Sequence, residues 1–210
     1  MTSSASESLR AVQEGARSAE IVYSSKTLAQ FLTLLFSRPS AELVDLGPVV
    51  GANVAFIGER IGCKFHVEDL YADLDRHASE GTIEQFPEFL GQRFALLRES
   101  VDAVLCWDIF DYLSPSAASV LAGELKRVLR PGGPLLAFFS GGGPDDGRYT
   151  KYVIENDWRL RLRSYAAACH RERVLHNREI NSLFAGFDLF GSVLLKSGVR
   201  EVLFCKPARA

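Results

Sequence analysis

The segment LVDLGPVVGANVAFIGERIG, Leu43 to Gly62, contains the pattern that decides the fold. An apolar run ends in an acid, Asp45, and is followed by Gly47, then by Gly51 and a helix-like run. A glycine permits a tight turn or the close approach of a ligand, and the next helix offers its first backbone N–H groups. The segment therefore predicts a strand, a ligand-binding turn and a helix.

Strand and helix patterns alternate on both sides of this segment. The predicted strands are 41–47, 64–70, 93–97, 101–110, 134–140, 188–198 and 199–207. The predicted helices are 25–36, 51–62, 70–78, 114–130 and 177–187. This alternation favours a Rossmann-like, three-layer α/β sandwich with a mostly parallel seven-stranded sheet. Because a short turn joins the last two strands, the sheet should end in an antiparallel hairpin.

Length, charge and cysteine content narrow the class of protein. The 210 residues suit a flexible N-terminal tail, 1–22, followed by a single domain, 23–210. A net charge of −2 gives no electrostatic basis for binding nucleic acid, and no apolar run is long enough to insert into a membrane. The four cysteines form no CxxC pair, and no metal site is predicted. The N-terminus lacks the apolar core of a signal peptide, so we expect a cytoplasmic protein.

Acidic and aromatic residues follow three of the predicted strands. In an open α/β sheet, ligands bind outside the carboxyl ends of the strands. Seventeen and eighteen residues after Gly51 stand Glu68 and Asp69, and a carboxylate there can accept two hydrogen bonds from a ribose diol. The stretch CWDIFDY places further candidates at the same edge, namely Trp107, Asp108, Asp111 and Tyr112.

Five segments in a fixed order carry a resemblance to a known family. They are VDLGPVVG (44–51), VED (67–69), VDAVLCWDIFDYL (101–113), LKRVLRPGGPLLAFF (125–139) and LFAGFDLFGSVLLKSGVREVLFCKP (183–207). Together they resemble the class I S-adenosylmethionine-dependent methyltransferases, in a divergent form similar to the type 11 members. The resemblance spans roughly residues 43–207 and implies S-adenosylmethionine as the cofactor.

The resemblance implies roles for the turn after the first strand of the sheet. Asp45 would orient the turn or meet the methionine ammonium group, directly or through water. Gly47 and Gly51 would leave space for the methionine and ribose parts. Val49 departs from the family, which has a glycine there, and Pro48 stiffens the loop. Either the loop binds the cofactor in a different shape, which the retained acids favour, or it packs shut and binding is lost.

The resemblance also implies roles beyond this turn. Glu68 best matches the ribose-binding acid, with Asp69 as the alternative. Trp107 and Asp108 would lie near the methionine end or the transferred methyl group. The acid that recognises adenine has no clear counterpart.

The acceptor side is predicted to be built from the N-terminal tail, the loop after the strand 101–110 and residues 141–176. Methyl transfer needs mainly alignment, so the family shares no universal catalytic residue. Residues 141–176 are predicted as an acceptor-side insertion rich in aromatic residues and arginines, which suit an anionic or planar acceptor. The candidate acceptor contacts are Tyr112, Tyr149, Tyr152 and Arg161. Alternatively, this segment is an amphipathic insertion whose aromatic rings cover the core.

Two functions of different classes therefore remain. The leading hypothesis is a methyltransferase acting on an unidentified small-molecule or protein acceptor. The alternative is a catalytically silent methyltransferase-fold protein that acts as an interaction or scaffold partner. No Asn-Pro-Pro-Tyr motif follows the strand 101–110, which argues against a nucleic-acid N-methyltransferase. The closing hairpin and the Pro-Gly-Gly turn disfavour a nicotinamide-dependent dehydrogenase.

Overall fold

The computed structural model describes residues 21–142 and 147–208. The strands are β1 (Ile21–Ser24), β2 (Glu42–Asp45), β3 (Lys64–Val67), β4 (Ala103–Trp107), β5 (Pro134–Phe139), β6 (Arg148–Asn156), β7 (Arg159–Ala166), β8 (Asp188–Leu194) and β9 (Arg200–Cys205). The helices are α1 (Lys26–Phe36), α2 (Gly51–Ile61), α3 (Leu70–Ser79), α4 (Phe86–Arg93), α5 (Pro115–Val128) and α6 (Asn177–Leu183). Within these described ranges, no helix has both the length and the hydropathy that a membrane span requires.

The larger sheet has six strands in the order β3-β2-β4-β5-β9-β8. The strands β3, β2, β4 and β5 run parallel, whereas β9 is antiparallel to β5 and to β8. The predicted α/β class, with a mostly parallel sheet and a closing antiparallel hairpin, is confirmed. The predicted number of strands in this sheet, seven, is wrong by one.

Helices cover both faces of the larger sheet. Successive strand residues point to opposite faces, so Leu43 and Leu105 join one buried cluster whereas Val44 and Val104 join the other. The first cluster packs against α1 and α2. The second packs against α3, α4, α5 and α6. The result is the predicted three-layer sandwich.

Polar caps fix the starts of two helices close to their predicted first residues, 25 and 114. The hydroxyl of Ser25 accepts a hydrogen bond from the backbone N–H of Leu28 at 3.0 Å and begins α1. Ser114 caps α5 through the N–H of Ala117 at 3.3 Å, with Pro115 as the first helical residue. Such side-chain caps satisfy backbone donors that have no partner inside the helix.

The helix predicted at 177–187 begins where expected, and its cap lies one residue earlier. The helix starts at Asn177, and His176 rather than Asn177 is the N-cap residue. The reason is that Glu179 reaches back and accepts a hydrogen bond from the N–H of His176 at 3.0 Å. This reciprocal arrangement is a capping box, and it sets the cap one residue earlier.

The strand predicted at 93–97 is absent. Residues 86–93 form α4 instead, and the segment after it makes no ladder with β3. The guanidinium of Arg127 on α5 donates hydrogen bonds to the carbonyl oxygens of Leu96 at 2.8 Å and Phe94 at 3.0 Å. Because a side chain from α5 satisfies these carbonyls, no neighbouring strand is needed, and β3 remains the edge of the sheet.

A second, three-stranded sheet, which we call the roof, has the order β1-β7-β6 and is antiparallel throughout. Its two longer strands lie in the segment predicted as an insertion, 141–176. The strand β1 includes residues 21 and 22, the last two residues of the predicted flexible tail, 1–22. The rest of that predicted tail, residues 1–20, lies outside the described residues.

The roof is held over the sandwich by hydrogen bonds to α2 and α3. The side chain of Asn53 on α2 donates to the carbonyl of Tyr152 at 2.8 Å and accepts from the N–H of Ile154 at 2.8 Å. On α3, Asp75 accepts a hydrogen bond from the hydroxyl of Tyr149 at 2.7 Å. These contacts place the roof across the carboxyl ends of the parallel strands, where the site was predicted.

Candidate functional site

The carboxyl ends of β2 and β4 meet at the buried carboxylate of Asp45. Its Oδ1 atom accepts hydrogen bonds from the backbone N–H of Gly47 at 2.9 Å and from Nε1 of Trp107 at 2.6 Å. Burial raises the pKa of Asp45 to about 7, although both hydrogen bonds favour the ionised form. The structure thus brings three of the predicted cofactor residues into one cluster.

The indole ring of Trp107 fills the space above Gly47. A Cβ atom on Gly47 would lie 2.7 Å from Cδ1 of Trp107, so a glycine is required for this close approach. Trp107 has a φ of 52°, which is uncommon for a residue with a side chain. Its ring stacks on that of Tyr152, with centroids 4.9 Å apart and planes 2° from parallel. The space predicted for the methionine part of a cofactor is therefore occupied by the protein's own aromatic ring.

Asp108, the next predicted cofactor residue, belongs to an aromatic cluster. It accepts a hydrogen bond from the hydroxyl of Tyr71 at 2.5 Å. Burial raises the pKa of Asp108, and the hydrogen bond from Tyr71 partly opposes that effect. The ring of Tyr71 packs edge-on against those of Tyr112 at 5.9 Å and Tyr149 at 4.9 Å. Two of the predicted acceptor contacts therefore pack within this cluster.

The two acids predicted for the ribose have partners within the protein. Glu68 forms an ion pair with Arg93, whose Nε also contacts the carboxylate of Asp73 at 3.0 Å. Asp69 is the N-cap of α3 and accepts from the N–H of Ala72 at 3.1 Å. A ribose diol at Glu68 would have to share that carboxylate with Arg93.

Val49 and Gly51 face a different part of the surface. The side chain of Val49 is 65% exposed, and Gly51 begins α2. Both line an open groove together with Lys151 and Arg161, and Arg161 is ion-paired with Glu155. Three predicted site residues, Val49, Gly51 and Arg161, therefore line this groove and not the cavity beneath the roof.

A cavity of about 480 Å³ lies between the roof and the carboxyl ends of β4 and β5. Its walls include Tyr23, Asp108, Asp111, Phe139, Arg148, Tyr152 and Leu162. Among the predicted acceptor contacts, only Tyr152 lines it. The hydroxyl of Tyr112 instead donates to the carbonyl of Arg148 at 3.1 Å, and Arg161 lies in the outer groove. The volume is in the range of pockets that bind small organic molecules.

Sequence reasoning did not assign roles to two residues that shape this site. Asp111 stands three positions after Asp108, and this spacing in a short helical turn could have marked it as a second buried acid. Arg93 gave no such signal, because its pairing with Glu68 depends on how α4 packs beside α3.

The sequence matches no protein-family model and no curated protein. Among solved structures, the chain is similar to 1,6-didemethyltoxoflavin-N1-methyltransferase from Burkholderia thailandensis, which was crystallised with 1,6-didemethyltoxoflavin and S-adenosylhomocysteine. The TM-score is 0.50 and the identity 16%, over 96% of this chain and 86% of that chain.

Two other solved structures are similar to a lesser degree. An S-adenosylmethionine-dependent methyltransferase from Methanosarcina mazei gives a TM-score of 0.48 at 12% identity, over 82% of this chain and 95% of that chain. Geranyl diphosphate C-methyltransferase from Streptomyces coelicolor A3(2) gives 0.49 at 14% identity, over 85% of this chain and 74% of that chain. From the strand order and the similarity to the Burkholderia enzyme, we conclude that this chain has the fold of the S-adenosylmethionine-dependent methyltransferases.

Proposed function

We propose that the protein is an S-adenosylmethionine-dependent methyltransferase whose acceptor is a small molecule bound beneath the roof. The observation that carries this proposal is the position of the cavity. It adjoins Asp108 at the end of β4, next to the cluster of Asp45, Gly47 and Trp107. The similar Burkholderia enzyme holds a small heterocycle and S-adenosylhomocysteine, and this supports the same pairing of cofactor and acceptor here.

The polar groups near Asp45 suit the cofactor. In this conformation, however, the ring of Trp107 occupies the space over Gly47 that the methionine part would need. The carboxylate of Asp45 would face an ammonium group, Gly47 would admit the methionine part, and Glu68 would bind the ribose. When bound, S-adenosylmethionine supplies an electrophilic methyl group on its sulfonium. Because the ring of Trp107 lies over Gly47, cofactor binding requires that ring to move.

The chain's own residues would contribute positioning and the exclusion of water. The roof covers the cavity, and the largely apolar walls include Phe139 and Leu162. The buried acids Asp108 and Asp111 supply its polar floor. Holding an acceptor in a fixed orientation away from water can supply much of the rate of a methyl transfer.

A second candidate function is a catalytically silent methyltransferase-fold protein that acts through interactions with a partner. The specific observation in its favour is the filled space over Gly47, where Trp107 stacks on Tyr152. The ion pair of Glu68 with Arg93 also favours this function, because it engages the carboxylate that was predicted to bind the ribose. For this function the aromatic rings would be permanent parts of the core.

Tryptophan fluorescence can separate the two functions. The protein has two tryptophans, of which Trp107 is buried and Trp158 is 51% exposed. In the variant Trp158→Phe, the emission therefore reports on Trp107 alone. Titration with S-adenosylmethionine, and with S-adenosylhomocysteine, should shift this emission with a saturable dependence, because the indole must leave Asp45. Calorimetric titration of the unmodified chain should give the same affinity.

Two matched variants complete this experiment. Asp45→Asn keeps the size of the side chain but removes its charge, and should weaken binding about tenfold or more if the carboxylate meets an ammonium group. Glu84→Gln removes one exposed surface charge and should leave affinity unchanged. If neither ligand binds the unmodified chain at millimolar concentration, the methyltransferase proposal fails and the silent function takes its place.

A further inference from the structure

One oxygen atom at the floor of the cavity has no hydrogen-bond partner in the part of the chain that the structure describes. Asp111 is 1% exposed, and its Oδ2 atom accepts a hydrogen bond from the N–H of Ser140 at 2.8 Å. Its Oδ1 atom is buried and makes no hydrogen bond to any of the described residues. Buried polar atoms in native proteins nearly always have a partner. Since Asp111 lines the cavity, a ligand with a hydrogen-bond donor can supply this one.

Charged groups of both signs lie near Asp111. Burial, followed by the nearby charge of Asp108, raises the pKa of Asp111 to about 8, and the attraction of Arg171 does not offset these two effects. Arg171 lines the cavity, and two other cations do so as well. Arg148 donates to the carbonyl of Ser164 in the roof at 3.1 Å, and Lys196 is an exposed residue of the β8–β9 turn. An ammonium group beside Oδ1 of Asp111 would favour the ionised carboxylate and so lower this pKa.

The rest of the cavity suits an apolar body. Phe139 and Val199 come from the larger sheet and its closing hairpin, whereas Leu162 and Tyr152 come from the roof. A ligand that reaches Asp111 would therefore place a polar head at the floor and an apolar part between the two sheets. This division between one polar end and apolar walls is typical of small-molecule sites.

We propose that the cavity binds a small organic amine, whose ammonium group donates a hydrogen bond to Oδ1 of Asp111 and whose apolar part packs against Phe139 and Leu162. The inference deepens the proposed function by naming the class of acceptor. It rests on that function only in making the amine the methyl acceptor, because amine binding itself requires no cofactor.

Three probes with the same aromatic body test the charge of the head group. They are 2-phenylethylamine, 2-phenylethanol and phenylacetate, titrated calorimetrically into the full chain without cofactor at a pH of about 9. At this pH Asp111, with a pKa of about 8, is ionised, and an alkylammonium group with a pKa of roughly 10 is still charged. The amine should bind about tenfold more tightly than the alcohol, and phenylacetate should bind weakest. Tightest binding of phenylacetate would mean that the cations decide the specificity, and would overturn the proposal. Equal binding of amine and alcohol, or no binding of any probe, would overturn it as well.

Two variants locate the binding. Asp111→Asn keeps an oxygen for the N–H of Ser140 but removes the charge, so the amine should lose its advantage over the alcohol while the alcohol binds as before. Leu162→Trp fills free space and should abolish binding of the amine and the alcohol, even if Asp111→Asn fails to fold. An amine preference that survives Asp111→Asn contradicts the assignment. Because these titrations contain no cofactor, failure of the S-adenosylmethionine titration alone would leave the amine site intact.

Discussion

Replacing Trp107 with alanine is expected to lower the free energy of unfolding by about 3–5 kcal/mol, as for other buried tryptophans cut to alanine. The same change should tighten binding of S-adenosylmethionine. The stability loss follows because the ring packs between Tyr152 and Phe138 and donates its N–H to Asp45. The gain in affinity follows because the space over Gly47 becomes free. Urea unfolding followed by circular dichroism measures the first effect, and calorimetric titration measures the second.

The variant Trp107→Phe separates the ring from its N–H group. Phenylalanine keeps an aromatic ring beside Tyr152 but leaves Asp45 without the indole donor, which should cost about 1–3 kcal/mol for a buried acceptor. If the ring is the obstacle, the alanine variant gains affinity and the phenylalanine variant gains much less. If the unmodified chain binds the cofactor and both variants lose binding, Trp107 contacts the ligand and does not block it.

Replacing Gly141 with alanine should destabilise the chain by about 3 kcal/mol, at the upper end of the usual cost of overpacking. A Cβ atom at Gly141 would lie 2.0 Å from the carbonyl oxygen of Gly198 in the β8–β9 turn. This is a clash with backbone, so no side-chain rotation relieves it. The loop after β5 and the closing turn would have to separate, which would also distort the cavity that both segments border.

Gly123→Ala is the matched control. Gly123 lies on the exposed side of α5, and a Cβ atom there meets nothing within 4 Å. Alanine should therefore raise the free energy of unfolding by about 0.5–1 kcal/mol through its higher helix propensity. The urea midpoints of the two variants should move in opposite directions. An unchanged midpoint for Gly141→Ala would mean that the two backbone segments do not touch in solution.

The parallel sheet could be predicted because its central strands carry their signal locally. Residues 103–107 and 134–139 are buried along their whole length, and each therefore reads as a continuous apolar run. The caps at Ser25 and Ser114 are equally local. The strand expected at 93–97 does not form, because the side chain of Arg127 from α5 donates to the carbonyls of that segment. The local sequence could not predict this contact, since Arg127 lies about 30 residues further along the chain.

The strands of the roof could be predicted only in part from the sequence. In β7 the alternation Arg159-Leu160-Arg161-Leu162-Arg163 is the period of two that indicates a strand, and we read it only as part of a mixed insertion. In β6 the buried residues are Tyr149, Tyr152 and Ile154, and the spacing of three between the first two breaks the alternation. The pairing of β1 with β7 had no signal in the sequence of either strand.

The candidate site was predictable in position and less so in detail. The order of strands fixed Asp45 and Asp108 at one edge, as expected from their places after β2 and β4. The position of the indole over Gly47 depends on the left-handed φ of Trp107 and on stacking with Tyr152 from the roof. Both depend on tertiary structure, so the spacing of residues along the chain could not predict the position of the indole.

The pairing of β1 with β7 also affects the order in which the parts of the protein form. Ile21 is the neighbour of Leu162, so about 140 residues separate the two strands along the chain. Contacts of such large sequence separation form late, because a long loop must close before they contribute any stability. During synthesis β1 leaves the ribosome long before β7 and has no pairing strand until residues 159–166 have been made. The cavity beneath the roof also needs Val199 of the closing hairpin, which is made later still. The ability to hold a ligand there should therefore appear late, once both β7 and the closing hairpin have joined their sheets.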